Sequence, residues 1–162
     1  MKTIIVTGSV SSGKTTVSRK LAKKLNLKYI DVNKLIKEEK LGCGYDKKRK
    51  CKIIDVNILN ESLIKLIKNS KQNLIIDSHL SHYLPNRYVD LCIVTKCRLR
   101  ILEKRLKKRN YDENKVKENL TVEIFDTCLN EAKALNHNVL VIDTTKGINM
   151  GNLASKIKVL LK

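Results

Sequence analysis

Short apolar runs alternate along this chain with longer segments in which apolar residues recur every three or four positions. Short runs rich in β-branched residues, such as residues 4–6, are typical of buried parallel strands. The spacing of Val17, Leu21 and Leu25 is typical of an amphipathic helix. The predicted strands are residues 4–6, 28–30, 74–76, 91–94 and 139–142, and the predicted helices are residues 13–24, 32–40, 56–68, 98–108, 113–135 and 150–161.

This alternation of strand and helix predicts an α/β fold, with a parallel sheet of about five strands and helices on both faces. The 162 residues contain no internal repeat and a single proline, Pro85, so we expect one domain. Residues 41–55 are expected to be irregular because Gly42 and Gly44 interrupt the periodicity. In such sheets, ligands bind beyond the carboxyl ends of the strands, which directs attention to the residues that follow each strand.

The loop after the first strand carries the sequence Gly-Ser-Val-Ser-Ser-Gly-Lys-Thr, residues 8–15, which matches the phosphate-binding pattern G-x-x-x-x-G-K-[ST]. Glycines permit the backbone conformations that turn main-chain amides toward phosphate oxygens at the start of a helix. Lys14 supplies a positive charge for the β- and γ-phosphates, the Thr15 hydroxyl is a ligand for Mg²⁺, and Thr16 can bind the next phosphate. The motif, between a strand and an amphipathic helix, predicts a P-loop NTPase fold.

Two polar residues follow the third predicted strand. Asp77 ends that strand, where a carboxylate beside a phosphate loop can hold Mg²⁺ through water. His79 lies two residues further and can orient a water molecule or contact the γ-phosphate. The alternatives are a turn-forming aspartate and an ordinary loop histidine. The P-loop favours the catalytic interpretation of both.

Basic residues end the predicted helix 98–108. Arg105 and Arg109 are four positions apart and therefore share one side of the helix. Arginines can stabilise the negative charge that phosphoryl transfer spreads over the transferring group. A charged, turn-like segment follows Arg109, as expected of a lid that closes over a substrate. The alternative is a solvated basic face.

Composition adds a strong positive charge, +18 from 34 Lys+Arg against 16 Asp+Glu, with ten basic residues among residues 96–117. The excess favours a polyanionic partner such as nucleic acid, a ribosomal particle or nucleotide phosphates, although a lysine-rich solvated surface is the alternative. An aromatic content of 4% leaves few side chains on which single-stranded bases could stack. No apolar run approaches the ~20 residues of a membrane helix or forms a signal-peptide core, so we expect a cytoplasmic protein without membrane contact.

The cysteines fit a reducing compartment. Their number, five, is odd, and no Cys-x-x-Cys pair occurs, so a disulfide framework is not expected. They are Cys43, Cys51, Cys92, Cys97 and Cys128. A zinc site formed by Cys92, Cys97, His79 and His82 is a weak alternative because the spacings match no established zinc pattern. Buried small apolar side chains are the favoured interpretation.

Taken together, these motifs resemble the adenylate kinase isoenzyme 6 family, particularly its archaeal branch, almost from end to end. The resemblance rests on the P-loop, Lys28-Tyr29-Ile30, Glu38-Glu39, Gly44-Tyr45-Asp46, Asp77-x-His79, Pro85-x-Arg87, Arg105-Leu106-x-x-Arg109-x-Tyr111, Glu118-Asn119 and Glu123-Ile124-Phe125. It implies a nucleoside-monophosphate-kinase-like fold in which residues 31–54 bind the monophosphate and residues 108–118 form a short lid.

The same resemblance implies the reaction ATP + AMP ⇌ 2 ADP with Mg²⁺ and slow ATP hydrolysis without an acceptor. It also implies a role in maturation of small-subunit ribosomal RNA, with a small-subunit ribosomal protein as partner. We expect a monomer because no long exposed apolar stripe stands out in the sequence. The implied ATP contacts are Ser11, Gly13, Lys14, Thr15, Thr16, Arg109 and Lys146. The implied catalytic residues are Lys14, Arg105, Arg109, Asp77 and His79, with Thr15 and Asp77 as metal ligands. The implied monophosphate contacts are Asp31, Lys37 and Arg87.

One departure from the family keeps alternatives open. Lys37 stands where the family often has an arginine that grips the AMP phosphate, and lysine cannot make the planar two-pronged contact of arginine. The change mildly favours a second hypothesis, an ATP-driven assembly switch on pre-ribosomal particles with vestigial kinase activity. A third hypothesis is a nucleic-acid-binding module, which would show steep salt dependence of binding that is insensitive to Lys14→Ala.

Overall fold

The computed structural model describes residues 1–47 and 51–161 of the chain. The strands are β1 (Thr3–Thr7), β2 (Lys28–Asp31), β3 (Gly42–Asp46), β4 (Cys51–Ile54), β5 (Leu74–Asp77), β6 (Leu91–Lys96) and β7 (Val139–Asp143). The helices are α1 (Lys14–Leu25), α2 (Val32–Glu38), α3 (Val56–Asn69), α4 (Leu99–Lys107), α5 (Glu113–Ile124), α6 (Thr127–Ala134) and α7 (Met150–Leu160). Single 3-10 turns cover Ser81–Tyr83 and Asn86–Tyr88.

Five strands form one parallel sheet in the order β2-β5-β1-β6-β7, which confirms the predicted α/β fold and its five-stranded sheet. β1 lies at the centre, and all five of its residues are buried, as expected for a strand covered on both faces. Its neighbours are β5, where Val6 pairs with Asp77, and β6, where Thr7 pairs with Val94. The loops after β1, β5 and β6 therefore emerge side by side at one edge of the sheet.

The core has a layer on each face of the sheet, and alternate residues of β1 point into different layers. Ile4 and Val6 pack with residues of α1 and α7, including Leu21 and Ile157. Ile5 packs on the opposite face with Leu59 and other residues of α3. The apolar side of each helix thus fixes its position relative to the P-loop that follows β1.

Two predicted elements were wrong. Part of residues 41–55, expected to be irregular, forms an antiparallel hairpin of β3 and β4, with a shift in register between Gly42 and Gly44. Residues 42–45 are exposed, so the hairpin has no buried side that alternating apolar residues would mark. The single helix expected over residues 113–135 is two helices, because the backbone of Asp126 has a φ of +52°. Asp126 forms an ion pair with Lys96 of β6, which holds the break against the sheet.

No helix in the part of the chain that the structure describes is long and apolar enough to span a bilayer. Aspartates cap α2 and α3, because Asp31 and Asp55 each accept hydrogen bonds from the amides two and three residues later. The cap at Asp31 fixes where β2 ends and α2 begins, at the same edge of the sheet as the P-loop.

Candidate active site

The P-loop after β1 has a backbone that glycine makes possible. Gly8 and Gly13 have φ values of +135° and +95°. A Cβ atom on Gly8 would lie 2.4 Å from the carbonyl oxygen of Thr95, so the loop passes closer to β6 than any other residue would allow. Ser11 also has a positive φ, +66°, and its hydroxyl oxygen is buried without a hydrogen-bond partner.

Hydroxyl groups from later strands hold the P-loop in this conformation. The Ser12 and Thr95 hydroxyl oxygens are 2.5 Å apart, and the Thr95 hydroxyl donates to the carbonyl of Thr7 at 3.1 Å. The Thr144 hydroxyl, directly after β7, lies 2.6 Å from the Ser12 carbonyl, which accepts its proton. All four residues are buried, so these short bonds are shielded from competing water.

Lys14 folds its side chain back over the loop. Its Nζ atom donates to the carbonyls of Gly8 and Ser9 at 2.9 and 2.8 Å. Burial lowers the pKa of Lys14 from 10.5 to about 8, and the nearby Asp77 carboxylate partly offsets that effect. An ammonium group held by two P-loop carbonyls at the start of a helix is positioned to meet the terminal phosphates of a nucleotide.

The helix start next to Lys14 is suited to an anion. α1 carries no acidic residue in its first turn, and both Thr15 and Thr16 are exposed there. The free amides at a helix N-terminus and the helix dipole attract negative charge. The buried Ser11 hydroxyl, which lacks a partner, is a further donor that a phosphate oxygen could satisfy.

Asp77 is held by a tyrosine from the neighbouring strand. The Tyr29 hydroxyl donates to Asp77 Oδ2 at 2.9 Å, and Asp77 is buried. Burial, followed by this hydrogen bond, raises the pKa of Tyr29 to about 12, so the phenol stays protonated and remains a donor. The guanidinium of Arg19 lies 5.5 Å from the centre of the Tyr29 ring. The hydrogen bond leaves the other oxygen of the carboxylate available to a metal ion.

His79 is exposed toward the same cleft. The pKa of His79 is lowered from 6.5 to about 4. Partial loss of water around the ring is the larger cause, and the positive charge of Lys14 is the next. The imidazole is therefore neutral at pH 7 and keeps a lone pair that can accept a hydrogen bond from water.

The two arginines occupy different positions. Arg105 of α4 donates from Nη1 to the Thr144 hydroxyl at 3.1 Å and from Nη2 to the Thr144 carbonyl at 2.8 Å. Arg105 therefore holds Thr144, whose hydroxyl donates to the Ser12 carbonyl. Arg109 follows α4 in an exposed turn, and α5 begins at Glu113, so residues 108–118, the segment predicted to be a lid, consist of a short turn and the start of α5.

A single open cleft of about 1730 Å³ brings most of the predicted site together. Its lining includes Ser11, Gly13, Lys14, Thr15, Thr16, Asp77, His79, Arg105 and Arg109. A cleft of this size exceeds the usual volume of small-molecule sites, so its volume is sufficient for more than one small ligand.

Four predicted contacts are outside the described lining of the cleft. Asp31 caps α2, as described above, although the adjacent Asn33 does line the cleft. Lys37 and Lys146 are exposed, and the Arg87 guanidinium lies 5.2 Å from the ring of Tyr88. The contacts expected of these residues therefore stay predictions.

Sequence reasoning missed four residues that shape the site. Thr95 lies near the end of β6 and Thr144 directly follows β7, so attention to the carboxyl ends of strands could have found both. Tyr29 lies in β2, where alternation alone does not show that its hydroxyl reaches Asp77. Glu123 lies near the end of α5 and accepts a hydrogen bond from the Ser9 hydroxyl at 2.6 Å. No pattern in a single sequence indicates that a helical glutamate holds the P-loop.

The residues of the alternative zinc site have other partners. Cys92 is buried in the core layer that contains Ile5. His82 is buried with Nδ1 2.8 Å from the Thr7 hydroxyl and Nε2 2.8 Å from Glu131. Across residues 1–47 and 51–161, no three His, Cys, Asp or Glu side chains form a cluster suited to a metal ion. The oxygens of Thr15 and Asp77 suit Mg²⁺, which commonly completes its shell with phosphate oxygens and water.

The fold and the P-loop together define a P-loop protein with the architecture of a small-molecule kinase. Shikimate kinase from Acinetobacter baumannii shares this fold, with a TM-score of 0.66, 16% identity and coverage of 99% of this chain and 93% of that one. The family profile described as AAA domain matches residues 4–126.

Sequence comparison narrows the class further. The adenylate kinase isoenzyme 6 homolog of Caenorhabditis elegans is 34% identical over 130 residues, which cover 80% of this chain and 71% of that protein. An archaeal relative from Methanocaldococcus jannaschii, whose name also refers to adenylate kinase, is 39% identical over 142 residues, covering 88% of this chain and 76% of that protein. The chain therefore belongs to the adenylate kinase isoenzyme 6 family, and the predicted family resemblance is confirmed.

Proposed function

We propose that this protein is a nucleoside monophosphate kinase that catalyses ATP + AMP ⇌ 2 ADP. The observation that carries the proposal is the convergence of the P-loop, Lys14, Asp77 and Arg109 on one cleft, in a chain whose relatives are named for adenylate kinase. The size of the cleft supports the presence of donor and acceptor together. ATPase activity, a cytoplasmic location and a monomeric state are further parts of the proposal.

ATP would bind with its phosphates on the P-loop. The amides at the start of α1 would surround the phosphate oxygens, and the Ser11 hydroxyl would gain the partner that it lacks. Lys14 would exchange its carbonyl contacts for phosphate oxygens. Burial makes the charged form of Lys14 less favourable, as its lowered pKa shows. The negative charge of the phosphates would offset that cost.

Phosphoryl transfer needs little proton chemistry because the acceptor is already an anion. An oxygen of the AMP phosphate would form a bond to the γ-phosphorus as the bond from that phosphorus to the β-γ bridging oxygen breaks, and ADP would leave with those electrons. Lys14 and Arg109 would offset the charge that spreads over the transferring group. Closure of the turn that carries Arg109 would exclude water and suppress hydrolysis.

The residues present fit a magnesium ion on the phosphates. Thr15 and Asp77 would hold it, directly or through water, and Tyr29 would keep the Asp77 carboxylate oriented. When bound, Mg²⁺ supplies positive charge that neutralises phosphate oxygens and orients them.

A second candidate function is an ATP-driven switch in assembly of the small ribosomal subunit, with a ribosomal protein as partner. Lys37, in place of an arginine, favours it because a weaker grip on AMP leaves water as the competing acceptor. The neutral His79 in the cleft supports it as well, since it could orient the attacking water. The net charge of +18 suits a ribonucleoprotein environment.

ADP formation from Mg·ATP, measured with and without an acceptor, separates the two functions. The acceptors are AMP, CMP, UMP and dAMP, and Lys14→Ala is the matched control. Strong stimulation by AMP, lost in the variant, is the expected result. Stimulation only by the ribosomal protein or RNA would favour the switch, and salt-sensitive RNA binding that survives Lys14→Ala, without turnover, would favour a nucleic-acid-binding module.

A further inference from the structure

Glu123 is a buried carboxylate behind the P-loop, with only 6% of its surface exposed. Each of its oxygens accepts one hydrogen bond: Oε2 from the Ser9 hydroxyl at 2.6 Å and Oε1 from the amide of Cys97 at 2.8 Å. No Lys or Arg among residues 1–47 and 51–161 forms an ion pair with it. A buried carboxylate without an ion pair is costly, so these two hydrogen bonds must hold a geometry that the protein needs.

Ser9 connects Glu123 to Lys14. The Ser9 side chain points away from the cleft toward Glu123, and the residue is 3% exposed. Its carbonyl oxygen accepts from Lys14 Nζ at 2.8 Å and from the Ser12 amide at 3.1 Å. A change in the position of Ser9 would therefore move the carbonyl that directs the ammonium group.

The same glutamate joins the P-loop to the predicted lid. α5 begins at Glu113, just after the turn that carries Arg109, and Val116 of α5 packs with Leu102 and Leu106 of α4. A helix of 12 residues is about 18 Å long. One helix therefore has the lid turn at its start and the Ser9–Glu123 pair near its end.

We propose that Glu123 is a positioning residue for phosphoryl transfer, which fixes Ser9, and through Ser9 the Lys14 ammonium, while tying the P-loop to α5. The inference rests on the proposed kinase function. A negative charge close behind an anion-binding loop repels phosphate directly, although it also favours the charged form of Lys14. The contribution of Glu123 is the geometry that its two hydrogen bonds impose on Ser9 and Cys97.

A double-mutant cycle tests this role. The variants are Glu123→Ala, Ser9→Ala and the double variant, with Glu61→Ala as the matched control, because Glu61 is an exposed glutamate of α3. We expect kcat to fall about 10- to 100-fold in each single variant and hardly further in the double variant, since both remove the same link. KM for ATP should change less than kcat, and the control should match the wild type.

The conservative variant Glu123→Gln separates shape from charge. Its amide oxygen can accept from Cys97 and its amide nitrogen can donate to Ser9, so we expect it to restore most of kcat. Thermal unfolding followed by circular dichroism determines the folded fraction. If Glu123→Ala does not fold, Ser9→Ala alone tests the link, and kcat must then fall about 10- to 100-fold in that variant while Glu123→Gln keeps most of it.

Three results would overturn the inference. The first is independent, multiplicative losses in the two single variants. The second is a lowered melting temperature with normal kcat per folded molecule, which would show a purely structural role. The third is a kcat in Glu123→Gln as low as that in Glu123→Ala, which would show that the charge matters and not the geometry of the two hydrogen bonds. If the wild type makes no ADP from ATP and AMP, the proposed function fails, and calorimetric ATP binding by the same variants still tests the link from Glu123 to the P-loop.

Discussion

Replacing Gly8 with alanine tests how tightly the P-loop is built against the sheet. The new Cβ atom would lie 2.4 Å from the Thr95 carbonyl, 2.6 Å from the Thr95 hydroxyl oxygen and 2.9 Å from that of Ser12. The first of these contacts is with backbone in the central part of the sheet, which cannot rotate away. The loop itself would therefore have to move.

Two costs add up in Gly8→Ala. A φ of +135° is strained for any residue with a Cβ, at about 1–3 kcal/mol. Crowding in a packed interior adds about 1–3 kcal/mol. The sum of about 2–6 kcal/mol is a large share of the roughly 5–15 kcal/mol by which domains are stable. Gly147→Ala has the strain without the crowding, because φ is +85° and nothing lies within 4 Å, so it should cost only about 1–2 kcal/mol.

Urea unfolding followed by far-ultraviolet circular dichroism gives both free energies of unfolding, and calorimetry gives the affinity for Mg·ATP. We expect Gly8→Ala to unfold at clearly lower urea than Gly147→Ala and to bind ATP weakly even under conditions where it is folded. Equal urea midpoints for the two variants, with ATP affinity intact, would refute the close approach of the P-loop to β6.

Three other predictions concern individual side chains of the site. Because burial lowers the pKa of Lys14 to about 8, ATP binding should be independent of pH below 8 and weaken by up to about tenfold per unit above it, whereas a Lys14→Met variant should give a flat profile in the same calorimetric titration. Arg109→Ala should lower kcat more than it weakens ATP binding, since its contact strengthens in the transition state, and equal losses would count against this role. Tyr29→Phe should raise the Mg²⁺ concentration needed for half-maximal ATP binding about two- to tenfold, the equivalent of one hydrogen bond of about 0.5–1.5 kcal/mol; an unchanged requirement would separate Tyr29 from the metal site.

The three inner strands of the sheet were predictable because each contains a short apolar run that both faces bury. Residues 4–6, 74–76 and 91–94 fall within observed strands, which begin at most one residue earlier and end one to two residues later. Helical periodicity located α1, α3 and α4 in the same way, since each has one buried side. These patterns reflect burial, which the sequence records directly.

Elements whose form does not depend on burial could not be predicted. The hairpin of β3 and β4 is stabilised by its own ladder of hydrogen bonds and leaves residues 42–45 exposed. The break between α5 and α6 depends on a positive φ at Asp126, held by Lys96 from a distant strand. Such tertiary contacts override the local preference for a continuous helix.

The residues of the site also differ in whether the sequence alone could predict them. Lys14 and Thr15 could be predicted from the fixed spacing of the P-loop motif, because the residues expected to contact phosphate are adjacent in the chain. The residues that hold the loop in shape come from separate elements, as Tyr29, Thr95 and Glu123 do. Their proximity follows from the order of the strands, and only the three-dimensional arrangement displays it.

Residues far along the chain hold the P-loop in its conformation, so the order of synthesis affects when the loop can form. The full G-x-x-x-x-G-K-[ST] motif leaves the exit tunnel before the residues that support it. The Thr144 hydroxyl that anchors the Ser12 carbonyl is made 132 residues later, and Glu123 is made 114 residues after Ser9. A nascent chain therefore carries the motif without these hydrogen bonds while the intervening residues are made. The P-loop can therefore take its nucleotide-binding conformation only after β7 has packed onto the sheet.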